Sequence, residues 1–331
     1  MTTPVYFDDD ADLSLLTQRK VAVIGYGDHG AAHALCLRDS GVDVRMGLPP
    51  TSINRARAED EGLPVATPAE AAAEADVVVM LAPLALQRFV YEQAIAPALA
   101  PGKALLFTDG FPIRYELIVP PPGIDVLLLA PMGDGALLRR QYLDGKGQPC
   151  LVAVEADESG GAWGLLLAYA RAIGATRAGA RATTFAAQAE STRFAEQALA
   201  GGTLELVRAG FTTLTSAGLS PDVAYLACVH QLKAVVDDLY AGGLAGVRGH
   251  ASEVARFGAA TRGPRVVGET AADELRRVLA ELRDGTFVKE WLADEDAGRP
   301  KLTAADEAAA VHPVEPAGAA LRATMSWLHD A

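Results

Sequence analysis

The chain has 331 residues, half of them hydrophobic, and a net charge of −13. This length favours two domains, and the hydrophobic fraction is sufficient for a complete core. The acidic balance argues against nucleic acid or an anionic membrane surface as a partner.

The N-terminal segment, residues 1–18, is acidic and contains one short predicted helix. It lacks the apolar stretch of a signal peptide, and the sequence has no run of about eighteen apolar residues, so we expect no membrane span. The three cysteines are far apart, odd in number and without metal-ligand spacing. They are typical of reduced thiols in a cytoplasmic protein.

A buried strand and a glycine-rich turn begin the first predicted domain. Residues 21–24 are apolar, and glycines follow in G-x-G-x-x-G spacing before an alanine-rich helix. The first glycine permits a tight turn, the second lets the backbone approach a pyrophosphate, and the third lets the helix pack closely. The phosphates would bind backbone N–H groups at the positive end of the helix. We assign to this dinucleotide site Gly25, Tyr26, Gly27, Asp28, His29 and Gly30.

The loop after the second predicted strand, residues 42–46, bears on which dinucleotide is bound. NAD sites commonly place an acid there, on the ribose hydroxyls, whereas NADP sites offer polar or basic groups to the 2′-phosphate. This loop carries Thr51, Ser52, Asn54, Arg55 and Arg57, with no acid before Glu59. We therefore predict NADPH, with NADH possible, and assign Ser52 and Asn54 to its binding. Asp28 would repel the pyrophosphate, so either it points away or it weakens cofactor binding.

Further buried strands complete the predicted sheet, and helices separate them. A helix over 67–74 begins with the capping sequence T-P-A-E. The strands are predicted over 76–81, 103–107, 126–130 and 150–154, and a helix over 160–172. The turns at 108–111 and 131–135 follow strand C-termini, the edge where open α/β sheets bind ligands. We also assign Pro83, Gln87 and Gly135 to the cofactor site.

The sequence pattern changes after residue 182. Long amphipathic patterns predict helices over 185–200, 202–217, 221–241, 270–283 and 303–328, with breaks at 242–243 and 257–268. The predicted fold is therefore an α/β, Rossmann-type doubly wound sheet over residues 1–182. An all-helical domain for substrate binding and dimerisation follows over residues 183–331.

Several motifs in one order resemble the ketol-acid reductoisomerase family in its short bacterial form. They include VAVIGYG, the A-P-M-G-D-G turn followed by two arginines, AIGATRAG, ELVRAGFTTL, GGLAGVR and FVKEW. The resemblance implies that acetolactate-type acids are converted with magnesium for alkyl migration and NADPH for reduction. It also implies a knotted helical domain, and a homodimer or higher homo-oligomer in which each active site is built from two chains.

The residues at the positions that the resemblance assigns to magnesium differ from the family pattern. The family's two carboxylate pairs correspond here to Thr192 with Glu196 and to Ala227 with Gln231. Magnesium prefers carboxylate oxygens, so this set predicts that Mg²⁺ is not required. In the same way, the resemblance places Met132 at a lysine position and Asp109 at a histidine position. A serine near the substrate is kept at Ser252.

These differences favour the hypothesis of a metal-independent, NADPH-dependent reductase of a small imine or ketone, without isomerase activity, in specialised metabolism. A carboxylate without metal suits a cationic electrophile such as a protonated imine. The predicted catalytic residues are Asp109 or Glu196 as acid or charge partner, and Gln231 and Ser252 for positioning. The predicted substrate pocket contains Met132, Thr192, Ala227 and His250.

Two alternatives stay open. One is a true ketol-acid reductoisomerase whose metal site is rebuilt from Asp109, Asp134, Glu190 and Glu196. The other is a non-catalytic dinucleotide-binding protein. Glu196 could also be a surface residue that pairs with Arg193 on its own helix.

Overall fold

The computed structural model describes residues 3–328 and divides into two compact units, Met1–Ser191 and Thr192–Ala331. The predicted domain boundary follows residue 182, whereas the structural division follows Ser191. Within the described residues, no helix is both long and apolar enough to cross a membrane.

The first unit contains one nine-stranded sheet. Its strands are β1 (Val5–Tyr6), β2 (Lys20–Ile24), β3 (Asp43–Gly47), β4 (Val65–Ala66), β5 (Val77–Met80), β6 (Ala104–Phe107), β7 (Asp125–Pro131), β8 (Cys150–Ala156) and β9 (Ala180–Ala182). The order across the sheet is β1-β9-β8-β7-β6-β5-β2-β3-β4. The six strands from β7 to β4 are mutually parallel. This is the strand order of a dinucleotide-binding sheet, in which successive strands are added first on one side of the first strand, here β2, and then on its other side.

Helices cover both faces of this sheet. They are α1 (Ser14–Thr17), α2 (Asp28–Asp39), α3 (Arg55–Asp60), α4 (Pro68–Glu74), α5 (Leu84–Val90), α6 (Phe111–Arg114), α7 (Gly135–Leu143) and α8 (Ala162–Ala172). The predicted cap of α4 is confirmed, because the Thr67 hydroxyl accepts from the Glu70 N–H and the Glu70 carboxylate accepts from the Thr67 N–H.

Alternation along β2 explains why the sheet has two apolar layers. Val21 and Val23 pack into a cluster with α2 and α8, whereas Ala22 and Ile24 pack into a second cluster with α4. Successive side chains of a strand point to opposite faces, so a continuous apolar strand buries both.

The remaining elements are helical. They are α9 (Phe185–Phe194), which contains the division point, then α10 (Gly201–Ser216), α11 (Pro221–Tyr225), α12 (Gln231–His250), α13 (Glu253–Val266), α14 (Glu269–Asp284), α15 (Thr286–Asp296), α16 (Pro300–Ala310) and α17 (Val314–Arg322). Short π-helical segments cover Tyr91–Ile95, Ala195–Ala200 and Leu226–His230, and 3-10 turns cover Asp8–Asp10, Ala96–Ala98, Ala175–Arg177 and Ser326–Leu328. The predicted α/β and helical halves are confirmed, and the knot stays a prediction.

Of the two predicted breaks in the helical half, one coincides with a kink and the other does not. Gly243 has non-helical angles (φ 63°, ψ −166°), so a kink lies at the predicted break 242–243. The predicted break at 257–268 is wrong, because α13 runs through most of it and contains Pro264. This proline lies in the last turn, so the helix continues for only two residues beyond it.

Candidate functional site

The three glycines of the turn after β2 differ in how much space a side chain would have there. Gly25 has φ +107°, and a Cβ there would lie 2.5 Å from the carbonyl oxygen of Leu81. A Cβ on Gly30 would lie 2.2 Å from the carbonyl oxygen of Gly25. A Cβ on Gly27, by contrast, would have no described atom within 4 Å. Gly25 and Gly30 therefore form the turn, whereas Gly27 leaves open space beside the N-terminus of α2.

A cavity of about 540 Å³ lies at this turn. Of the predicted cofactor residues it is lined by Gly25, Tyr26, Gly27, Asp28, His29, Gly30, Ser52, Asn54, Pro83 and Gln87. Gly135 lies instead at a neighbouring cavity of about 400 Å³, whose lining also includes Asp28. The structure thus brings ten of the eleven predicted residues to one cavity at the carboxyl edge of the sheet. Their role in binding stays a prediction.

Gln87 lines this cavity and has a buried acceptor without a partner among the described residues. Its side chain is buried, and its amide nitrogen donates to the carbonyl of Ala82 at 2.9 Å. Its Oε1 has no hydrogen-bond partner among the described residues. A buried polar atom without a partner is costly, so a buried water molecule is the natural partner for this oxygen.

The carboxylate of Asp28, near the predicted pyrophosphate site, has a hydrogen-bond partner. Its Oδ2 accepts a hydrogen bond from the backbone N–H of Gly135 at 2.6 Å. Gly135 is the first residue of α7 and follows the turn after β7. The carboxylate therefore links the glycine turn to that second turn.

The helix α2 carries two histidines, of which His29 lines the cavity and His33 is completely buried. The Nδ1 of His33 lies 2.9 Å from the hydroxyl of Tyr169, while its Nε2 has no partner among the described residues. Burial, together with the nearby His29, lowers the pKa of His33 to about 3. His33 is therefore neutral in the folded protein at ordinary pH. The sequence analysis missed it, because a histidine at this point of an alanine-rich helix carries no motif.

Arg55 and Arg57, which the sequence analysis placed in the loop after β3, lie in α3, and both have acidic partners. Arg55 lies 3.3 Å from Glu59, and its guanidinium also donates to the carbonyls of Leu48 and Val65. Arg57 lies 3.1 Å from Glu61, and its guanidinium carbon is 5.6 Å from the ring centre of Tyr26. The polar side chains that reach the main cavity from this loop are those of Ser52 and Asn54.

The predicted catalytic and pocket residues of the first unit lie in different surroundings. Asp109 lines the main cavity, and its Oδ1 accepts from the N–H of Phe111 at 3.0 Å. Met132 is 52% exposed on the turn after β7. Asp134 caps α7 by accepting from Leu137 at 2.6 Å, and Glu190 forms an ion pair with Arg114 at 3.1 Å. Capping and ion pairing thus account for two acids of the proposed rebuilt metal site.

The other predicted residues belong to the second unit. Glu196 pairs with Arg193 at 2.9 Å, as the alternative interpretation expected. The Ser252 hydroxyl caps α13 by accepting from Ala255 at 3.2 Å, and His250 pairs with Asp238 at 2.8 Å. The positions assigned to metal by the resemblance are Thr192, Glu196, Ala227 and Gln231.

Two of those positions lie in π-helical segments. Glu196 lies in Ala195–Ala200, and Ala227 lies in Leu226–His230. Such bulges are rare and frequent at functional sites. Even so, residues 3–328 contain no group of three or more His, Cys, Asp or Glu residues that could hold a metal ion.

Comparison with known proteins covers both units. Residues 15–179 match the model of the acetohydroxy acid isomeroreductase NADPH-binding domain, and residues 185–327 match that of the ketol-acid reductoisomerase C-terminal domain. The chain is 52% identical over 328 residues to the ketol-acid reductoisomerase (NADP(+)) of Saccharopolyspora erythraea, covering 99% of both chains. It is 50% identical to that of Kineococcus radiotolerans, covering 98% of this chain and 95% of the relative. A solved NADH-preferring ketol-acid reductoisomerase from an uncultured archaeon is 37% identical, with a TM-score of 0.92 over 96% of this chain and 98% of the other.

These matches overturn part of the sequence interpretation. The hypothesis of a metal-independent imine or ketone reductase in specialised metabolism is wrong, because relatives at least 50% identical over nearly the whole length are ketol-acid reductoisomerases. The expectation that Mg²⁺ is not needed is wrong as well, since that family uses NADPH and requires Mg²⁺. Substitutions at a few positions do not outweigh similarity that extends along both units.

Proposed function

We propose, on the premise that this chain belongs to the ketol-acid reductoisomerase family, that it is an NADPH-dependent ketol-acid reductoisomerase acting on acetolactate-type acids. The observation that carries the proposal is the 52% identity to the Saccharopolyspora erythraea enzyme over 99% of both chains. The relative is named for NADP(+), and this chain has neutral polar residues where its loop meets the main cavity.

The first unit fits a dinucleotide on grounds of its own geometry. The open space at Gly27 lies beside the first turn of α2, where backbone N–H groups can bind a pyrophosphate. Ser52 and Asn54 lie at the end of β3, the place of the adenosine ribose in such sheets. NADPH, when bound, supplies the hydride.

The role that we propose for Asp109 is to orient the substrate. It is a carboxylate on the wall of the main cavity, at the end of β6, and the N–H of Phe111 holds its Oδ1. A side chain fixed in this way by the backbone loses little conformational freedom when a substrate hydroxyl binds to it.

The donor set for magnesium fits poorly. Among the four positions that the resemblance assigns to the metal, Glu196 is the carboxylate, and it already pairs with Arg193. A threonine, an alanine and a glutamine occupy the others, and magnesium sites in proteins depend on carboxylates. The rebuilt set is no better supported, since Asp134 and Glu190 have other partners. We therefore assign no step to residues around a metal.

We propose that two chains pair through the second unit. The second unit exposes large apolar side chains, including Leu204, Leu244, Val254 and Phe257, which are 64% to 83% exposed in the single chain. Large apolar side chains that are this exposed in one chain would be covered in a homodimer. A homodimer, a small-molecule substrate and a cytoplasmic location all stay predictions.

The test is oxidation of NADPH by the purified full chain with 2-acetolactate, in Mg²⁺ and in EDTA. Because the family requires Mg²⁺, we expect turnover in Mg²⁺ that EDTA abolishes, even though the four matching positions hold one carboxylate. A 2-keto-3-hydroxy acid, which needs reduction but no alkyl migration, separates the two halves of the reaction. Absence of turnover with every substrate, while NADPH still binds, would contradict the proposal and favour a non-catalytic dinucleotide-binding protein.

A further inference from the structure

We propose that Glu61 sets how strongly this chain prefers NADPH over NADH, by holding Arg57 away from the 2′-phosphate. This inference rests on the proposed function, because it concerns the same cofactor site. Glu61 is the residue that caps the C-terminus of α3. It lies outside the loop residues to which the sequence analysis assigned cofactor recognition.

Three side chains form a closed cluster between the glycine turn and α3. The hydroxyl of Tyr26 donates to one carboxylate oxygen of Glu61, and the Nε of Arg57 donates to the other at 3.1 Å. The guanidinium of Arg57 returns to the ring of Tyr26, at 5.6 Å from its centre. Tyr26 itself is only 2% exposed and lies between Gly25 and Gly27. Because Tyr26 belongs to the glycine turn, replacing another member of this cluster alters a direct contact of that turn.

The cluster adjoins the place where NADPH and NADH differ. In a sheet of this order the adenosine ribose lies at the end of the second strand, here β3. Ser52 and Asn54, in the loop that follows β3, line the same cavity as Tyr26. Arg57 follows Asn54 by three residues and lies in the first turn of α3.

Of the two arginines in α3, Arg57 is the one that can more easily exchange its carboxylate partner for a phosphate. The guanidinium of Arg55 is bound to two backbone carbonyls as well as to Glu59. The side chain of Arg57 is 57% exposed and lines the neighbouring cavity, and its polar contacts among the described residues are those with Glu61 and the Tyr26 ring. An exposed ion pair is weak, whereas an arginine–phosphate contact can be bidentate and strong.

The Glu61 carboxylate opposes NADPH in two ways. It competes with a 2′-phosphate for Arg57, and it adds a negative charge near that phosphate. Burial would raise the pKa of Glu61, but the hydrogen bonds from Tyr26 and Arg57 outweigh it and lower the pKa, so the group is charged at neutral pH. The similar fold of an NADH-preferring relative, with a TM-score of 0.92, fits a preference set by such local residues and not by the fold.

The test is the substitution Glu61→Gln in the full chain. Glutamine keeps the size of the side chain and an acceptor for the Tyr26 hydroxyl, and it leaves the backbone carbonyl that Arg38 binds. The dissociation constants of NADPH and NADH are measured by fluorescence titration, without substrate. We expect NADPH to bind about two- to fivefold more tightly and NADH to be unchanged, the range that one exposed ion pair allows.

Glu205→Gln is the matched control. It removes the same charge from the partner of Arg208, a pair 2.9 Å apart on α10. It should change neither affinity. The double variant Arg57→Ala/Glu61→Gln should lose the gain of Glu61→Gln, because the two residues act on one phosphate.

The outcomes separate this inference from the proposed function. If the wild-type chain binds NADPH, and Glu61→Gln leaves the ratio of the two affinities unchanged or shifts it toward NADH, the inference is wrong and the function stands. If the wild-type chain binds neither dinucleotide, both are wrong. Competition by 2′,5′-ADP against AMP repeats the comparison with the nicotinamide half removed.

Discussion

The carboxylate of Asp28 accepts a hydrogen bond from the backbone N–H of Gly135 at 2.6 Å. The two residues are far apart in the chain and come from different turns of the sheet edge, one after β2 and one after β7. A Cβ on Gly135 would lie 2.4 Å from the backbone oxygen of Asp28, so the two turns also touch through their backbones. The acid at the predicted pyrophosphate site therefore links the two turns.

The substitution Asp28→Asn removes the negative charge of the side chain but keeps an oxygen that can accept the hydrogen bond from Gly135. Asparagine can still accept from Gly135, but a neutral acceptor is weaker, so we expect stability to fall by about 1 kcal/mol in urea unfolding. NADPH should nevertheless bind more tightly, since one negative charge near the phosphates is removed. The gain should shrink in 1 M salt, where the Debye length is about 3 Å. Weaker binding at low salt would show that the link matters more than the charge.

The glycines of the turn should separate folding from cofactor binding. Gly27→Ala adds a methyl group where no described atom lies within 4 Å, so the melting temperature should not change. The methyl group occupies the space of the pyrophosphate, and NADPH affinity should fall at least about tenfold.

Gly30→Ala is the companion variant. Its Cβ would lie 2.2 Å from the carbonyl oxygen of Gly25, so the turn itself must shift. Both the melting temperature and NADPH affinity should fall. Equal loss of stability in the two variants, measured by calorimetry, would contradict the division of roles between Gly27 and Gly30.

Buried His33 should make the protein less stable in acid. Its pKa is about 3 in the folded protein, lowered by burial, against an ordinary value near 6.5 in the unfolded chain. Below pH 6.5 the unfolded chain therefore binds a proton that the folded chain does not, and stability falls as the pH falls toward 3. Above about pH 7.5 the contribution is constant.

The size of this effect follows from the two pKa values. Between pH 7 and pH 5 the single histidine should cost about 2 kcal/mol of unfolding free energy. Urea unfolding of wild type and His33→Gln at both pH values measures it, since glutamine can still bond to the Tyr169 hydroxyl but does not titrate. The same pH dependence in the two proteins would refute this explanation.

The sequence could predict what local patterns determine. The glycine spacing, the apolar strands and the cap at Thr67 each depend on neighbouring residues, and the structure contains all of them. The partner of Asp28 could not be predicted, because it comes from a turn more than one hundred positions away. Ser252 and Asp134 were given chemical roles in the hypotheses, yet in the structure each caps a helix. Short polar residues before a helix commonly do so, and this signal was present in the sequence.

The four positions that the resemblance assigns to magnesium give the last prediction. Thr192, Ala227 and Gln231 supply no carboxylate, and Glu196 is paired with Arg193. The triple variant Thr192→Asp/Ala227→Glu/Gln231→Glu should bind Mg²⁺ about tenfold or more tightly than wild type, since affinity for hard cations rises with carboxylate count. Isothermal titration calorimetry of the full chain measures it. The control Thr303→Asp/Ala304→Glu/Ala308→Glu adds the same charge on exposed positions of α16, and it should raise Mg²⁺ affinity little. Equal gains in both variants would show that added charge, and not these four positions, attracts the ion.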